Sequence, residues 1–419
     1  MTRAPREQRR ADWDRRTLVL RDGRSLLSPT GRLLRLSKPV EELGAAELAE
    51  RLVDAGVVHP QPLPRPADDV TVVIPVKDRL PELARCLAAC AGRDVLVVDD
   101  GSSDPAGVAA LCARHGARVV HRANGGPAAA RNTALPLLYK DFVAFLDSDC
   151  IPPPGWLEGL RGHFADPVVA AVAPRVTGGL RSPLDLGTDP AVVRPGSPVG
   201  YVPTAALVVR RTALTAFDEE LRYGEDVDWV WRTVAAGHQV RYDPRVVVQH
   251  EEPARLADRL ARRFRYGRSA APLSTRHPDA VKHLVVPPWP TTAAAALLAG
   301  RPWVAMAAAG VTAARLDRHL HDPVASARVT GRSVSGTAQG LGKALSLAGP
   351  LAWVAGWRRP QLLGLLALPL VLEQLQRRPE ANPFRYVGEG LVEQAAYGAG
   401  VVSGCVRERT VRPLLPRLR

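Results

Sequence analysis

The sequence predicts an α/β fold, a doubly wound and mostly parallel sheet, in the middle of the chain. Four short apolar runs, at 70–76, 95–98, 117–120 and 142–146, are separated by stretches long enough for a helix. Runs that are apolar at consecutive positions are typical of strands covered on both faces. Strands that alternate with helices are typical of parallel sheets with crossover connections. Both observations favour the same fold class.

Length and composition indicate the domain organisation. A chain of 419 residues exceeds one ordinary core, so we expect two or three units. A proline cluster at 60–66 predicts a stiff linker that ends a small first unit, residues 1–66. The α/β unit then covers 67–281. An apolar region rich in Ala, Leu and Val covers 282–419, where we expect helices.

The first unit carries its own structural signals. Apolar runs at 17–20 and 25–27 flank an Asp-Gly pair, which is typical of a tight hairpin turn. A third strand is predicted over 33–36 and a helix over 41–55. We therefore expect a small hairpin-plus-helix unit before the linker.

Charge and cysteine content limit the classes of partner and compartment. A net charge of +14 and a pI near 10.2 favour anionic partners. The basic residues are scattered, without a dense run interleaved with aromatic residues, so we expect phosphorylated ligands or anionic lipid and no nucleic acid. Five cysteines without a second close pair predict buried apolar residues in a reducing cytosol, not a zinc site. The charged N-terminus predicts no secretory signal peptide.

Acidic residues follow three of the predicted strands, at the edge where open α/β sheets bind ligands. Asp78 follows the first strand, Asp100 the second, and Asp147 and Asp149 the fourth. Two carboxylates one residue apart repel each other, and a hard cation such as Mg²⁺ or Mn²⁺ compensates them. Such a metal can neutralise a diphosphate leaving group. An isolated Asp-x-Asp is more often a turn with local hydrogen bonds, but its position after a buried strand favours the metal site.

A glycine-containing loop precedes the fourth strand. Gly125 and Gly126 allow a close approach to a ligand, and Pro127 suits the first turn of a helix whose free N–H groups attract anions. Arg131 on the same helix can reach a phosphate. The alternative is a solvated helix after a glycine turn.

Two further candidates follow along the chain. Glu225 and Asp226 begin a helix predicted to end near Ala236, and an ionised carboxylate there can accept a proton from a hydroxyl. Capping by acidic residues is the alternative. His250 ends a predicted strand at 246–250 and is structural or, beside the acidic pair, a third metal ligand.

Together these motifs resemble glycosyltransferase family 2, whose members have the GT-A fold. The matching segments, in family order, are 73–79, 98–102, 126–132, 146–149 and 224–228. The resemblance implies that Asp226 is the catalytic base with Glu225 as its neighbour. It implies that Asp147 and Asp149 hold the metal and the diphosphate, with His250 as a metal ligand.

The resemblance also implies the donor site and the stereochemistry. Asp100 would read the uracil or another base, with Asp78 nearby. The remaining positions implied to bind the nucleotide sugar are Pro75, Lys77, Gly126, Arg131, Asn132 and Asp147. The acceptor hydroxyl would attack the anomeric carbon opposite the diphosphate, so that an α-linked donor gives a β-glycoside and one base suffices.

More narrowly, the whole chain resembles the glycosyltransferases of the mycofactocin system. The resemblance rests on the N-terminal unit, on 224–228, on 263–267 with 269–272, and on the apolar tail. It implies UDP-glucose as donor and a peptide-derived redox cofactor as acceptor, which would receive several β-1,4-linked glucose units. The first unit resembles winged-helix-like peptide-binding domains, so we expect a remnant or a docking surface for other pathway enzymes.

The apolar tail leaves two structural alternatives. None of its apolar runs reaches the ~20 continuous apolar residues of a membrane span. It is either a helical domain or an interfacial helical hairpin with Arg side chains toward anionic head groups. We favour membrane association, and therefore a cytoplasmic location at the inner face of the membrane.

Two other functions remain open at this point. One is a polysaccharide or lipid glycosyltransferase. The lack of a Gln-x-x-Arg-Trp motif after Asp226 and of clear multiple spans argues against a processive synthase. The other is a non-catalytic scaffold that binds peptide, and the intact Asp147, Asp149 and Asp226 argue against it.

Overall fold

The structure of the chain is a computed structural model, and it describes most residues from 59 onward. The described residues are 18–19, 25–27, 33–35, 52–53, 55–56, 59–253, 255–278, 280, 285–286, 288–320, 322–347, 354, 357, 360–378, 380–415 and 417–418. They belong to two compact units. One contains 61–281, and the other contains residues of 10–60 and of 282–419.

Three short antiparallel strands lie near the N-terminus. They are β1 (Leu18–Val19), β2 (Ser25–Leu27) and β3 (Leu33–Arg35), paired in that order. The predicted hairpin strands and third strand are thus confirmed. The Asp-Gly turn lies outside the described residues. Of the helix predicted over 41–55, the structure describes residues 52, 53 and 55, and the rest lies outside the described residues.

The unit over 61–281 is built on one mixed sheet, with nine strands among its described residues. The strands are β4 (Val70–Val76), β5 (Asp94–Asp99), β6 (Arg118–His121), β7 (Phe142–Leu146), β8 (Cys150–Ile151), β9 (Val169–Thr177), β10 (Ala191–Val192), β11 (Ala206–Arg210) and β12 (Gln239–His250). Their order is β10-β12-β9-β11-β7-β4-β5-β6, and β8 pairs with β12. The four strands predicted from the apolar runs are β4, β5, β6 and β7. The pairs β7–β4, β4–β5 and β5–β6 are all parallel.

The parallel pairing stops beyond β7. Strand β11 is antiparallel to both β7 and β9, whereas β12 is parallel to β9. Because β11 runs against β7, its first residues lie beside the carboxyl end of β7, where the Asp147 N–H donates to the Ala205 carbonyl oxygen at 2.9 Å. The reversal therefore brings a later segment of the chain to the ligand-binding edge.

Helices cover both faces of the sheet, as the buried strands predict. They are α1 (Leu80–Ala89), α2 (Pro105–Arg114), α3 (Pro127–Ala134), α4 (Trp156–Arg161), α5 (Glu225–Ala235) and α6 (Leu256–Arg276). Side chains of β4 alternate between two cores. Ile74 packs in the cluster that contains Leu83 of α1, and Val73 packs in the cluster that contains Trp229 of α5. All five cysteines are buried free thiols, as expected.

The C-terminal region is helical, as predicted. Its helices are α7 (Pro288–Leu298), α8 (Pro302–Leu320), α9 (Pro323–Ser346), α10 (Pro360–Arg377) and α11 (Pro383–Arg407). A short parallel pair joins β13 (Val285–Val286) to β14 (Arg417–Leu418). Of the helices described, none has both the length and the apolar character needed to cross a membrane.

Candidate active site

The carboxyl ends of β4 and β5 are tied together through Asp78. Its backbone N–H donates to the Ser102 hydroxyl oxygen at 2.9 Å, and its carboxylate accepts from the Ser103 N–H at 2.6 Å. The Ser103 hydrogen bond lowers the pKa of Asp78. Asp78 adopts a left-handed backbone with φ 56°, which aspartate tolerates better than most residues. The turn after β4 is thus fixed against the turn after β5, with an ionised carboxylate at the surface.

Asp100, at the end of β5, holds the glycine-containing loop. One of its carboxylate oxygens accepts from Arg122 at 2.6 Å and from the Gly125 N–H at 2.9 Å, and the other accepts from the Gly126 N–H at 2.7 Å. The side chain is buried. Gly126 then begins α3 with φ 92°. Both carboxylate oxygens of Asp100 are therefore engaged within the protein, where they shape the loop.

Arg131 lies where α3 meets the acidic segments. Its side chain is 3% exposed, and its two terminal nitrogens donate to Glu225 at 2.8 Å and to Asp147 at 3.0 Å. Burial would lower the pKa of the guanidinium, but Asp147 and Glu225 outweigh it and raise that pKa. The structure therefore places Arg131 against carboxylates, where the sequence suggested a phosphate contact.

The other positions implied for donor binding have different surroundings. Pro75 is half-buried within β4, and Lys77 is exposed just after it. The Asn132 side chain donates to the Phe217 carbonyl oxygen and accepts from the Phe217 N–H, both at 2.8 Å. Its amide nitrogen also donates to Glu219 at 2.8 Å. Asn132 thus fastens α3 to the segment that precedes α5.

Glu225 and Asp226 form the first turn of α5, as the sequence predicted. Gly224 precedes them with φ 86°, a left-handed conformation that favours glycine. Burial, together with the neighbouring charge of Asp226, raises the pKa of Glu225 to about 7. Burial also raises the pKa of Asp226, although Arg131 opposes this effect.

Asp149 and His250 meet at the end of β7 and β12. The His250 Nε2 atom lies 3.5 Å from an Asp149 carboxylate oxygen, and the Arg79 guanidinium contacts the same oxygen. Burial raises the pKa of Asp149 and lowers that of His250. Within the described part of the chain, no three His, Cys, Asp or Glu side chains are already arranged around a common metal position.

The side chains of Asp147, Asp149 and His250 are nevertheless of the types that bind a divalent metal. Two carboxylates and a neutral imidazole are the oxygen and nitrogen ligands that such ions accept. The Arg79 guanidinium places a positive charge at the Asp149 carboxylate. Arg79 is partly exposed, so its side chain can leave that position without disturbing a core.

Comparison with known proteins decides the family. Residues 71–186 match the model of "Glycosyl transferase family 2". The sequence is 40% identical to "Pre-mycofactocin glycosyltransferase" of Mycobacterium tuberculosis, over 97% of this chain and 97% of that protein. The chain belongs to glycosyltransferase family 2.

Two more distant similarities were also found. "Glycosyltransferase AglE" of Haloferax volcanii is 28% identical over 48% of this chain and 72% of that protein. The crystal structure of GalNAc-T7 with UDP, GalNAc and Mn²⁺ aligns with a TM-score of 0.35 and 14% identity, over 44% of this chain and 43% of that one. The family assignment depends on the mycobacterial relative, which matches over nearly the whole length of both chains. The sheet described above is the GT-A fold of this family-2 glycosyltransferase.

Two residues that lie near these side chains in the family-2 glycosyltransferase were not singled out by the sequence. Glu252 accepts from the Ser182 hydroxyl at 2.6 Å, lies 3.2 Å from His250 Nδ1 and contacts Arg262 of α6. Tyr266, one turn further along α6, is partly buried. Burial raises the pKa of its hydroxyl, Arg262 opposes this effect, and Asp226 and Asp147 add to it. The only sequence signal was the Arg- and Tyr-containing segment at 263–267.

Proposed function

We propose that the chain transfers glucose from UDP-glucose to a hydroxyl of a pre-mycofactocin acceptor, with inversion at the anomeric carbon. The relative that is 40% identical over 97% of both chains is named for pre-mycofactocin, and this supports the acceptor. The donor and the inversion are what the family resemblance implies. Repeated transfer would build an oligosaccharide on the acceptor.

The Arg131 bridge is the observation that carries this proposal. It joins Glu225, beside the proposed base Asp226, to Asp147 of the Asp-x-Asp segment. A transferase must hold its base and its diphosphate site a fixed distance apart, because the sugar lies between them. One buried guanidinium that binds both segments supplies that rigidity.

The proposed reaction uses one base. A lone pair of the acceptor hydroxyl oxygen forms the new bond to the anomeric carbon, while the bond from that carbon to the diphosphate oxygen breaks. The hydroxyl proton passes to the Asp226 carboxylate, and UDP leaves with the bonding electrons. Burial raises the pKa of Asp226, which strengthens it as a base, and the positive charge of Arg131 opposes that rise.

Donor binding is assigned to the edge formed by β4, β5 and α3. The base and ribose of UDP would lie against the turn held by Asp78 and Asp100, with Pro75 and Lys77 beside it. The Gly126 end of α3 offers backbone N–H groups to the diphosphate. Arg131 and Asn132 would hold the site in shape and not contact the donor, because the terminal nitrogens of Arg131 and the side-chain amide of Asn132 are engaged within the protein.

The proposed metal position involves Asp147, Asp149 and His250. A bound Mn²⁺ or Mg²⁺ would neutralise the diphosphate as it leaves. These residues supply an imidazole kept neutral by burial and a carboxylate that needs a cation. Glu252, which Arg262 contacts, would orient His250 from its Nδ1 side.

The acceptor is assigned to the side of Asp226 where two tyrosines meet. The rings of Tyr223 and Tyr266 have centroids 6.3 Å apart and cross at 65°. Tyr223 immediately precedes the α5 start and is partly exposed. Aromatic faces of this kind pack against sugar rings and aromatic acceptors.

Product analysis tests the proposal. Purified protein, Mn²⁺ and pre-mycofactocin would be incubated separately with UDP-glucose, UDP-galactose and GDP-mannose. We expect a ladder of hexose additions by mass spectrometry with UDP-glucose, and β-linkages by NMR. Retained α-linkages, or turnover with another donor alone, would contradict the inversion or the donor. Transfer to a polysaccharide or lipid but not to pre-mycofactocin would favour the alternative acceptor class.

A further inference from the structure

The hairpin formed by α7 and α8 has an unusual distribution of side chains. Its inner face is made of small residues. Buried Ala293, Ala296, Ala305 and Ala308 pack against one another and against Val334, and Ala294 is buried as well. Large apolar side chains near the turn between the two helices are exposed instead. Trp303 is 76% exposed, Met306 61%, Leu297 56% and Val304 45%.

Water favours the opposite arrangement. A helix pair in water buries its large apolar residues, and a contiguous exposed apolar patch marks an interaction surface. Helix pairs in contact with lipid place small residues between the helices and large apolar residues toward the acyl chains. The hairpin follows the second rule at the turn between α7 and α8.

Charge indicates which surface covers this turn. Arg301 is the only charged residue from 288 to 314, and it lies at the turn itself. Residues 282–372 contain nine Lys or Arg against two Asp, a net charge of +7. An apolar tip within a basic region is complementary to an anionic lipid surface, which accepts both.

Length limits the depth of the contact. Helix α7 has 11 residues, or about 16 Å at 1.5 Å per residue, against the ~30 Å of a bilayer core. We propose that residues 297–306, at the tip of the hairpin, insert shallowly into the surface of an anionic lipid bilayer. The inference does not depend on the proposed function, because none of these residues belongs to the active site.

Vesicle flotation of the full-length protein tests the inference. The vesicles would contain phosphatidylcholine alone or phosphatidylcholine with phosphatidylglycerol. The double variant Trp303→Ser, Met306→Ser replaces exposed side chains and should fold. The matched control is Leu63→Ser, at an apolar residue that is 82% exposed in the other unit. Thermal unfolding and hydrolysis of UDP-glucose would report on folding and on the active site separately.

We expect the wild type and Leu63→Ser to float with the anionic vesicles only. We expect the double variant to bind these vesicles about tenfold more weakly than the wild type does. Its thermal unfolding and its hydrolysis of UDP-glucose should be unchanged. Equal binding by the double variant, or no binding by the wild type, would overturn the inference. A third outcome would also overturn it. If sedimentation velocity shows a dimer of the wild type that the double variant does not form, and the wild type binds no vesicles, a second copy of the chain covers the tip.

Discussion

At the scale of single residues, the guanidinium of Arg131 is buried at the point where two acidic segments meet. A buried cation is tolerated only when charged partners replace its water. Glu225 and Asp147 do so here, and the Phe217 ring lies 5.7 Å from the guanidinium carbon. Replacing Arg131 therefore changes the geometry of both acids together.

The first prediction concerns Arg131→Lys. A lysine keeps the charge but cannot donate to two carboxylates in a fixed fork. We expect kcat for sugar transfer to fall about a hundredfold, and the free energy of unfolding to fall by roughly 2 kcal/mol. Arg114→Lys, at an exposed position of α2, is the control and should change neither. Unchanged kcat in Arg131→Lys would show that the bridge does not align the site.

The second prediction concerns pH. Asp226 must be ionised to accept a proton, and its pKa is raised, so activity is lost as pH falls through that raised value. Glu225, with a pKa of about 7, lies next to Asp226, and the charges of the two carboxylates affect each other. Glu225→Gln removes that negative charge and should move the acidic limb of kcat/KM to lower pH. A limb that stays in place when measured in matched buffers would contradict this coupling.

At the scale of elements, the site depends on two loops that touch. Gly101 follows β5 with φ 78°, and a Cβ placed there would lie 2.9 Å from the backbone nitrogen of Asn124. Real Cβ atoms do not approach backbone so closely, so the 124–126 loop would have to shift. Asp100 holds that same loop through Gly125 and Gly126.

The third prediction compares two glycines. Gly92 has φ 75°, and a Cβ there meets no atom within 4 Å. Gly101→Ala and Gly92→Ala should both lose about 1 kcal/mol of stability from the left-handed backbone. Only Gly101→Ala should also raise KM for the nucleotide sugar, by about tenfold. Equal KM in the two variants would mean that the loop does not shape the donor site.

Elements were predictable from the sequence where local signals were strong. The runs that became β4 to β7 are apolar at most positions, and Gly224 marks the start of α5. The antiparallel insertion of β11 between β7 and β9 had no such signal, because strand order depends on packing between distant segments. The packing of Arg262 and Tyr266 of α6 beside the acidic residues was equally invisible.

At the scale of the whole molecule, residue types were easier to predict than their partners. Asp147, Asp149, Asp226 and His250 were singled out by their positions at predicted strand ends and at a helix start, and their roles by the family resemblance. The Arg131 pairing with Glu225 joins positions 94 residues apart, and a sequence shows only that an arginine is available. Burial determines which partners Arg131 has, because a buried guanidinium must pair with carboxylates of the folded chain.

The most direct test of the account is sugar transfer by Asp226→Asn. Asparagine keeps the shape of the side chain but cannot accept the hydroxyl proton. The account predicts that kcat falls about a hundredfold or more, while calorimetric binding of UDP with Mn²⁺ is unchanged. Transfer at the wild-type rate by a variant that binds UDP normally would contradict the assignment of Asp226 and, with it, the proposed active site.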